Sequence, residues 1–294
     1  MTDIVILTPD PALGDHEALW RKVLARLQSA LSAERIDAVP LPWTACADDA
    51  ALLQGYPCVL PLLAWGYHHD PARWLRACEA WQQAGVAMAN PAPVLAWNSD
   101  KRYLRQLAAQ GVAIPPTTWT DALSPAVLRQ AFADTAADAL IVKPAVSGGA
   151  WKTRRVQRDD ALDAVAAEVA PGVDMLVQPY LPTIASEGET SLLFFGGVLS
   201  HVVNKRPVPG DFRVQEEFGG HYTLLPEPPA GALALARRTL AAVDAPLLYA
   251  RIDVVPDGAG GWWLMEAELI EPDFYLGMDP DRGAGFARAL RGLL

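Results

Sequence analysis

The chain has 294 residues, of which 51% are hydrophobic and 20% charged, and its formal net charge is −10. That length exceeds what one compact core usually takes, so two or three packed units are expected. The acidic balance, with no Lys/Arg cluster that could build a basic face, argues against a nucleic-acid-binding protein, and no apolar run is long enough to span a membrane.

The N-terminus and the cysteines indicate a cytoplasmic protein. Residues 1–7 have no basic region ahead of their short apolar stretch, so they predict a first β-strand and not a signal peptide. Three cysteines lie far apart without metal-type spacing, at Cys46, Cys58 and Cys78. A sparse and odd number of cysteines suits a reducing compartment and argues against a disulfide framework.

Strands and helices alternate along residues 1–90. Predicted strands cover 3–8, 36–41, 59–64 and 86–89, and predicted helices cover 16–33 and 71–84. The strand over 59–64 is almost wholly apolar, as expected inside a parallel sheet. This rhythm predicts a doubly wound α/β domain whose strand ends face a ligand crevice.

The rest of the chain mixes helices with a β-rich C-terminal part. A predicted helix over 99–110 has Asn98 or Ser99 as its N-cap and Gly111 as its stop. Strands follow at 117–120, 139–142 and 175–178, with helices at 125–134 and 159–169. From residue 190 the predicted strands are 191–195, 198–203, 251–255 and 262–269, and a helix over 230–243 is inserted among them.

A lysine ends one of these apolar strands. Lys143 follows Leu140-Ile-Val142 and must therefore reach solvent or pair with an anion. The Gly-rich segment 147–153 comes next, and its backbone N–H groups could approach phosphate closely. Taken alone, Lys143 could lie at an exposed strand edge, and the Gly-rich segment could be an ordinary turn. Their succession in the chain favours a phosphate site. The segment 178–181, which follows another strand, could offer main-chain groups to an adenine edge or simply be a strand exit.

The most specific pattern is acidic. Residues 251–255 and 262–269 flank a Gly-rich turn and predict a β-hairpin. Side chains alternate across a strand, so Glu266 and Glu268 share one face, and antiparallel pairing adds Asp253 to it. Three crowded carboxylates need a compensating cation, and hard oxygen ligands suit Mg²⁺, with Mn²⁺ as a substitute. The alternative is a solvated acidic face.

A basic loop precedes the hairpin. Lys205, Arg206 and Arg213 are expected in a Pro/Gly-rich segment downstream of two strands, where they could face a γ-phosphate or simply be exposed.

In this order, the motifs resemble the ATP-grasp superfamily over nearly the whole chain. The resemblance implies an N-terminal doubly wound (pre-ATP-grasp) domain over 1–98, followed by two α+β lobes, over 99–181 and 182–294, that clamp the nucleotide. It makes Lys101 and Lys143 the nucleotide lysines and the Gly-rich segment a phosphate-covering loop. The remaining nucleotide contacts implied are Ser147, Gly148 and Gly149 in that loop, Gln178, Tyr180 and Leu181 at the adenine, and Glu189 at the ribose, with Glu187 as fallback.

The same resemblance assigns the chemistry. Asp253, Glu266 and Glu268 would bind the metal, and Lys205 and Arg213 would face the transferred phosphate. Mg-ATP would convert a small carboxylate into an acyl phosphate, which an amine then attacks, with the oxyanion near Arg251 or Arg213. The segment 213–220 is similar to the glutathione synthetase and RimK-like branches.

A narrower resemblance is to small bacterial ATP-grasp proteins, the group that includes D-cycloserine synthetase. Residues 65–68, 97–104 and 265–272 carry it. That group has an acid where this chain has Gly66 and a serine where it has Asp273, and both positions are expected to face substrate. The organic substrate should bind against Trp65, Tyr67, His68 and Glu271, because 65–68 directly follows the most apolar N-terminal strand.

Three functions remain open from the sequence. They are an intramolecular cyclase of cycloserine type, an intermolecular amino acid or peptide ligase, and an ATP-binding regulatory protein with a degenerate site, with kinase-type transfer as a weaker fourth. The expected partners are a small-molecule carboxylate and an amine, without nucleic acid or membrane, and a homodimer is compatible with the pattern.

Overall fold

The computed structural model describes residues 2–12, 17–169 and 172–294. Within these ranges, no helix is both long and apolar enough to cross a membrane. The predicted start of the first helix at residue 16 lies outside the described residues.

A three-stranded parallel sheet, ordered β2-β1-β3, forms the N-terminal part. Its strands are β1 (Thr2–Thr8), β2 (Ile36–Pro42) and β3 (Val59–Leu60), and its helices are α1 (Glu17–Ser32), α2 (Trp43–Asp48) and α3 (Pro71–Gln83). The predicted strand over 59–64 is wrong in length, because Pro61 has no N–H to donate to a ladder. The predicted strand over 86–89 is reduced to a single bridge between Val59 and Met88.

The middle sheet is antiparallel and ordered β4-β7-β5-β6. It contains β4 (Thr118–Thr120), β5 (Ala139–Pro144), β6 (Arg154–Gln157) and β7 (Met175–Pro179). An apolar core joins one face to two helices, α6 (Pro125–Thr135) and α7 (Leu162–Ala167). The other face, which carries Lys143, is turned to the cleft described below. The helix predicted over 159–169 is shorter than expected at both ends.

The C-terminal sheet has five strands in the order β10-β9-β8-β11-β12, all antiparallel. They are β8 (Glu189–Phe195), β9 (Val198–Arg206), β10 (His221–Leu225), β11 (Tyr249–Pro256) and β12 (Trp262–Glu268). Three helices accompany this sheet: α8 (Thr183–Ser186), α9 (Ala230–Ala241) and α10 (Ala284–Leu293). Each sheet falls within one of the three predicted ranges, while the domain boundaries themselves stay a prediction.

The single helix predicted over 99–110 is wrong. Two short helices, α4 (Ala92–Asn98) and α5 (Tyr103–Ala109), are separated by a turn that carries Lys101. Asn98 ends α4 instead of capping a helix, and its side chain donates to Ala267 O at 2.8 Å and accepts from Leu269 N at 2.9 Å. The expected stop at Gly111 is confirmed, since Gly111 has φ +86° just beyond α5.

A second asparagine also ties the N-terminal part to the C-terminal sheet. The buried amide of Asn90 donates to Tyr249 O at 2.9 Å and to Leu269 O at 2.8 Å, and it accepts from Leu248 N at 2.9 Å. Its backbone is left-handed, with φ +57°, a conformation that asparagine tolerates better than most residues. The two parts also share one apolar core, to which β1, α1, β8 and α10 all contribute.

We expect Asn90→Ala to lower the free energy of unfolding by about 2–4 kcal/mol, because it leaves buried backbone groups without partners. Urea denaturation measures the change. Asn90→Gly is the matched control, since it relieves the left-handed backbone but equally removes the amide. If the two variants lose nearly the same stability, the hydrogen bonds dominate; if Asn90→Gly is close to wild type, the bridging role is contradicted.

Candidate active site

A cleft of about 440 Å³ lies where the three sheets meet. Fifteen of the residues singled out from the sequence lie on its wall: Trp65, Tyr67, Lys101, Lys143, Ser147, Gly148, Gly149, Glu189, Lys205, Arg213, Arg251, Asp253, Glu266, Glu268 and Glu271. Four others do not line it: His68, Gln178, Tyr180 and Leu181. Side chains from distant parts of the sequence are therefore gathered into one cavity.

The acidic hairpin of β11 and β12 forms one wall. Asp253 is paired with Glu266 and Arg251 with Glu268, so the predicted register is confirmed. A β-bulge follows Asp253 and shifts the register of the remaining pairs. Carboxylate oxygens of Asp253, Glu266 and Glu268 lie within 4.8 Å of one another.

Protein cations hold each of these carboxylates. Asp253 Oδ2 lies 3.0 Å from Arg251 Nη2 and 3.4 Å from Lys205 Nζ, and its Oδ1 accepts the Ser191 hydroxyl at 2.5 Å. Glu266 Oε1 lies 2.9 Å from Lys101 Nζ. Arg251 also pairs with Glu268. The face is thus a continuous network of alternating charges.

The protonation of these acids is uneven. Burial opposes ionisation of Asp253, but Arg251 and Lys205 outweigh it, so the pKa of Asp253 lies below its usual value. Burial raises the pKa of Glu268 to about 8, which Arg251 only partly counters. Burial and then the nearby Glu268 hold the pKa of Glu271 well above its usual range. The carboxyl groups of Glu268 and Glu271 are therefore protonated more readily than that of Asp253.

A divalent cation fits this donor set. Three carboxylates offer oxygens close enough to share one ion, and oxygen is the ligand that Mg²⁺ prefers. A cation there would also counter the mutual repulsion that helps keep the pKa of Glu268 high.

The opposite wall carries the two lysines. Lys101 Nζ donates to Ser147 O at 2.9 Å and so ties the turn after α4 to the Gly-rich segment. Lys143 shares the cleft but has no ion pair within 4.0 Å among the described residues. Burial, and next the charge of Lys101, lower the pKa of Lys143 to about 8. A bound anion would favour the charged form of Lys143 and so raise its pKa.

Gln178 lies directly opposite Ile141 in the sheet, so its side chain is on the cleft face although it is not on the cavity wall. Its Nε2 donates to Thr117 Oγ1 at 3.0 Å, while that hydroxyl donates to Pro115 O at 2.7 Å, which fixes the amide orientation. Gln178 Oε1 is left buried with no hydrogen-bond partner among the described residues. This oxygen could accept a hydrogen bond from a bound ligand.

The segment after Gln178 lies one layer behind the cavity. Tyr180 N donates to Ala139 O at 2.8 Å, so this N–H belongs to the sheet. Leu181 packs in a cluster with Ile184 and Met265, both of which line the cavity. Leu181 therefore supports the apolar part of the wall without forming it.

Lys205 lies in strand β9 and not in the predicted loop, because the pairing of β9 with β8 and β10 continues to this residue. It is paired with Glu189 across the β8–β9 ladder, with Nζ 2.6 Å from Glu189 Oε1. Arg213 does lie in the loop that follows β9. Its guanidinium pairs with Asp211 at 2.8 Å and stacks on Phe218 at 3.7 Å.

The end of the cleft near β3 is aromatic and acidic. Trp65, Tyr67 and Glu271 line it as predicted, whereas His68 lies behind Gly148. Of the two positions expected to face substrate, Asp273 lines the cavity and Gly66 does not, whereas sequence reasoning missed Tyr222 and Tyr275, which also line it. The ring of Tyr275 lies 5.4 Å from the guanidinium of Arg251. The Asp273 carbonyl accepts from the same guanidinium at 3.4 Å.

Comparisons with known proteins place the chain in a family. No protein-family model matches it. It is 34% identical over 243 residues to the cycloserine biosynthesis protein DcsG of Streptomyces lavendulae, covering 77% of this chain and 79% of that protein. The crystal structure of D-cycloserine synthetase DcsG superposes with a TM-score of 0.82 at 29% identity, covering 99% of this chain and 100% of that one.

More distant structures share the fold. A D-alanine–D-alanine ligase from Bacillus anthracis has a TM-score of 0.73 at 15% identity, covering 100% of this chain and 99% of that one. A RimK-domain ATP-grasp protein from Sphaerobacter thermophilus has a TM-score of 0.69 at 18% identity, with coverage of 100% and 99%. The ATP-grasp fold expected from the sequence is confirmed, and the chain belongs to the DcsG family of ATP-grasp carboxylate–amine ligases.

Proposed function

We propose that this ligase uses Mg-ATP to activate the carboxyl group of a small amino acid derivative and closes it on an amine of the same molecule, as in D-cycloserine formation. The observation that carries the proposal is the single cleft, where the lysine wall, the three carboxylates and the aromatic end meet within about 440 Å³. One bound molecule can present its carboxyl to the phosphate and its amine to the acyl carbon there.

The nucleotide would lie between the middle and C-terminal sheets. Lys101 and Lys143 face its phosphates, under backbone N–H groups of Ser147, Gly148 and Gly149. Gln178 Oε1 would accept from the amino group of adenine, because that buried atom has no hydrogen-bond partner within the part of the chain that the structure describes. Ile184 and Met265, backed by Leu181, would cover the base, while Tyr180 is outside the cavity lining. Glu189, which lines the same cavity, would bind the ribose.

Asp253, Glu266 and Glu268 would hold Mg²⁺, and Mn²⁺ should substitute since it prefers the same ligands. When bound, the cation spreads the charge that develops during phosphoryl transfer. Arg251 orients two of the three ligands through its ion pairs. The other carboxylate, Glu266, is oriented by Lys101.

The acyl-transfer end depends on fixed cations. Arg251 is buried, lines the cavity and cannot deprotonate, so it can stabilise the oxyanion that forms when the amine attacks. Arg213 enters from the loop after β9 and can reach the transferred phosphate by exchanging its Asp211 partner for it. Lys205 pairs with both Glu189 and Asp253 in the same region.

The organic substrate would bind at the aromatic end, against Trp65, Tyr67 and Glu271, with His68 behind them. Excess carboxyl groups there suit a substrate that carries an ammonium group. Gly66 and Asp273 replace an acid and a serine of the cycloserine group, so the pocket should hold a variant of that group's substrate or bind the same one through different contacts.

Alternative functions are less well supported. An intermolecular ligase would need room for two organic molecules beside the nucleotide in the same cleft. A degenerate regulatory site is disfavoured because both lysines and all three carboxylates are present on the wall. A cytoplasmic location and a homodimer stay predictions from the sequence.

Stoichiometry tests the cyclisation. With Mg-ATP and β-aminooxy-D-alanine, which contains both the carboxyl and the nitrogen that D-cycloserine joins, we expect one ADP, one phosphate and one ring per turnover, by coupled assay and mass spectrometry. A second amine should not be required. ADP release that begins only when a separate amine is added would replace the cyclase by an intermolecular ligase.

Nucleotide affinity should weaken at alkaline pH. Lys143 titrates near 8 in the free protein, and its charged form below that pH is the one that binds phosphate. A nonhydrolysable ATP analogue should lose about tenfold in affinity between pH 7 and 9. Lys143→Arg stays charged throughout and serves as the matched control. An equal loss in that variant would assign the pH dependence to another group, such as Glu268.

Glu266→Gln should lower the ligase rate by about two orders of magnitude or more, because it removes one charge from the metal ligands. Gln still offers an oxygen to Lys101, so the melting temperature should change little. Mn²⁺ binding in the presence of ADP, followed by electron paramagnetic resonance, should weaken in parallel. The control is Glu227→Gln, an exposed acid outside the cavity. Wild-type Mn²⁺ affinity in Glu266→Gln would exclude this residue as a ligand.

A further inference from the structure

The Gly-rich segment touches the N-terminal sheet through an aromatic contact that none of the roles above uses. The ring of Trp151 lies 5.5 Å from that of His68 and 5.4 Å from that of His69, the latter edge-on. Trp151 is half-buried and does not line the cavity. The three residues that precede it, Gly148, Gly149 and Ala150, do border the cleft.

The histidine pair is a rigid platform. His68 and His69 form a short 3₁₀ turn with Tyr67, and Asp70 then caps α3 by accepting from Arg73 N at 3.0 Å. Aromatic rings continue this platform inward: Tyr67 lies 6.0 Å from His68 and 4.9 Å from Trp74, which is fully buried. A group that docks on His68 is therefore fixed relative to Tyr67 on the substrate side of the cleft.

Glycine permits a second contact between the same partners. A Cβ atom at Gly148 would lie 3.1 Å from His68 Nδ1 and 3.2 Å from His68 Cε1, so the loop backbone rests directly on the imidazole. The contact therefore involves both the backbone of the loop and the Trp151 ring.

The loop needs such an anchor because its backbone is unfavourable. Gly149, Ala150 and Lys152 have φ values of +55°, +59° and +54°, and two of these residues are not glycine. L-residues disfavour this region, and such conformations persist when the surroundings fix them. Within the segment, Trp151 N donates to Gly148 O and Thr153 N to Ala150 O, at 2.9 and 3.0 Å. These two local bonds alone do not connect the loop to the N-terminal sheet.

We propose that Trp151 is a positioning residue that fastens the phosphate-covering loop to His68 and His69 and thereby keeps water from the acyl phosphate. The proposal rests on the proposed acyl-phosphate chemistry. Water that entered would add its oxygen to the acyl carbon, break the bond from that carbon to the phosphate-bearing oxygen, and release phosphate, a proton and the original carboxylate. ATP would then be consumed without ring formation.

The ratio of ADP formed to cyclised product measures this hydrolysis of the acyl phosphate. With β-aminooxy-D-alanine and Mg-ATP, the wild-type ratio should be about one, and Trp151→Ala should raise it about threefold or more while ADP is still formed. Trp151→Phe should restore a ratio near one, because it keeps a ring on the histidines. Gly148→Ala should raise the ratio by a smaller factor, since His68 must shift by a few tenths of an ångström.

Lys152→Ala is the control from the same loop. Lys152 is exposed and stacks on the outer side of Trp151 at 4.2 Å, so its removal leaves the contact with the histidines and the ratio unchanged. A ratio near one in Trp151→Ala, or an equal rise in Lys152→Ala, would overturn the proposal.

Limited trypsin digestion tests the contact without any organic substrate. In the presence of Mg²⁺ and a nonhydrolysable ATP analogue, cleavage after Lys152 should be about fivefold or more faster in Trp151→Ala than in wild type or Trp151→Phe, because local opening exposes the loop. Equal cleavage rates would overturn the proposal. A wild-type protein that binds the analogue but makes no product would contradict the proposed function instead, and the cleavage comparison would still decide on the contact.

Discussion

Asp253 is only 2% exposed, and its charge is held by Arg251, Lys205 and the Ser191 hydroxyl. Burying an ion is costly, and removing one partner of such a group typically costs about 3–5 kcal/mol because the other charge is left uncompensated. The network is therefore stable only when complete. It links strands β8, β9, β11 and β12, so the geometry of the metal-binding wall and the order of the C-terminal sheet are determined together.

The same network explains why the cleft is prepared for ligands before they arrive. Arg251 and Lys101 already hold the carboxylates at the spacing that one cation requires, so little side-chain ordering is left for binding. On the opposite side of the cleft, two polar groups are not yet paired within the described part of the chain. Among the described residues, Lys143 has no ion pair and Gln178 Oε1 has no hydrogen-bond donor. A bound ligand could supply an anion to the lysine and a donor to the amide oxygen.

Much of this arrangement could be predicted from sequence because it follows from local periodicity. Alternation in two strands placed Asp253, Glu266 and Glu268 on one face, and a hairpin turn determined their pairing. Features that depend on distant contacts could not be predicted. Asn98 resembles a helix cap in sequence, and only the approach of β12 makes it a bridge between backbone groups. Lys205 was expected in a loop because Pro and Gly follow it, but pairing with β8 extends the strand past it. The position of His68 behind the Gly-rich loop depends on how two sheets meet.

The asparagine bridges have a mechanical consequence. Asn90 and Asn98 join the N-terminal part to strands β11 and β12 through buried backbone hydrogen bonds, and one apolar core runs through both. These two parts of the molecule are therefore held together by both polar and apolar buried contacts. The middle sheet packs against the C-terminal sheet as well, because Ala145 and Leu176 lie in the same apolar core as Leu264. The hydrogen bonds of Asn98 to Ala267 O and Leu269 N flank Glu268 along the chain, so this asparagine also fixes the backbone that carries one of the cleft carboxylates.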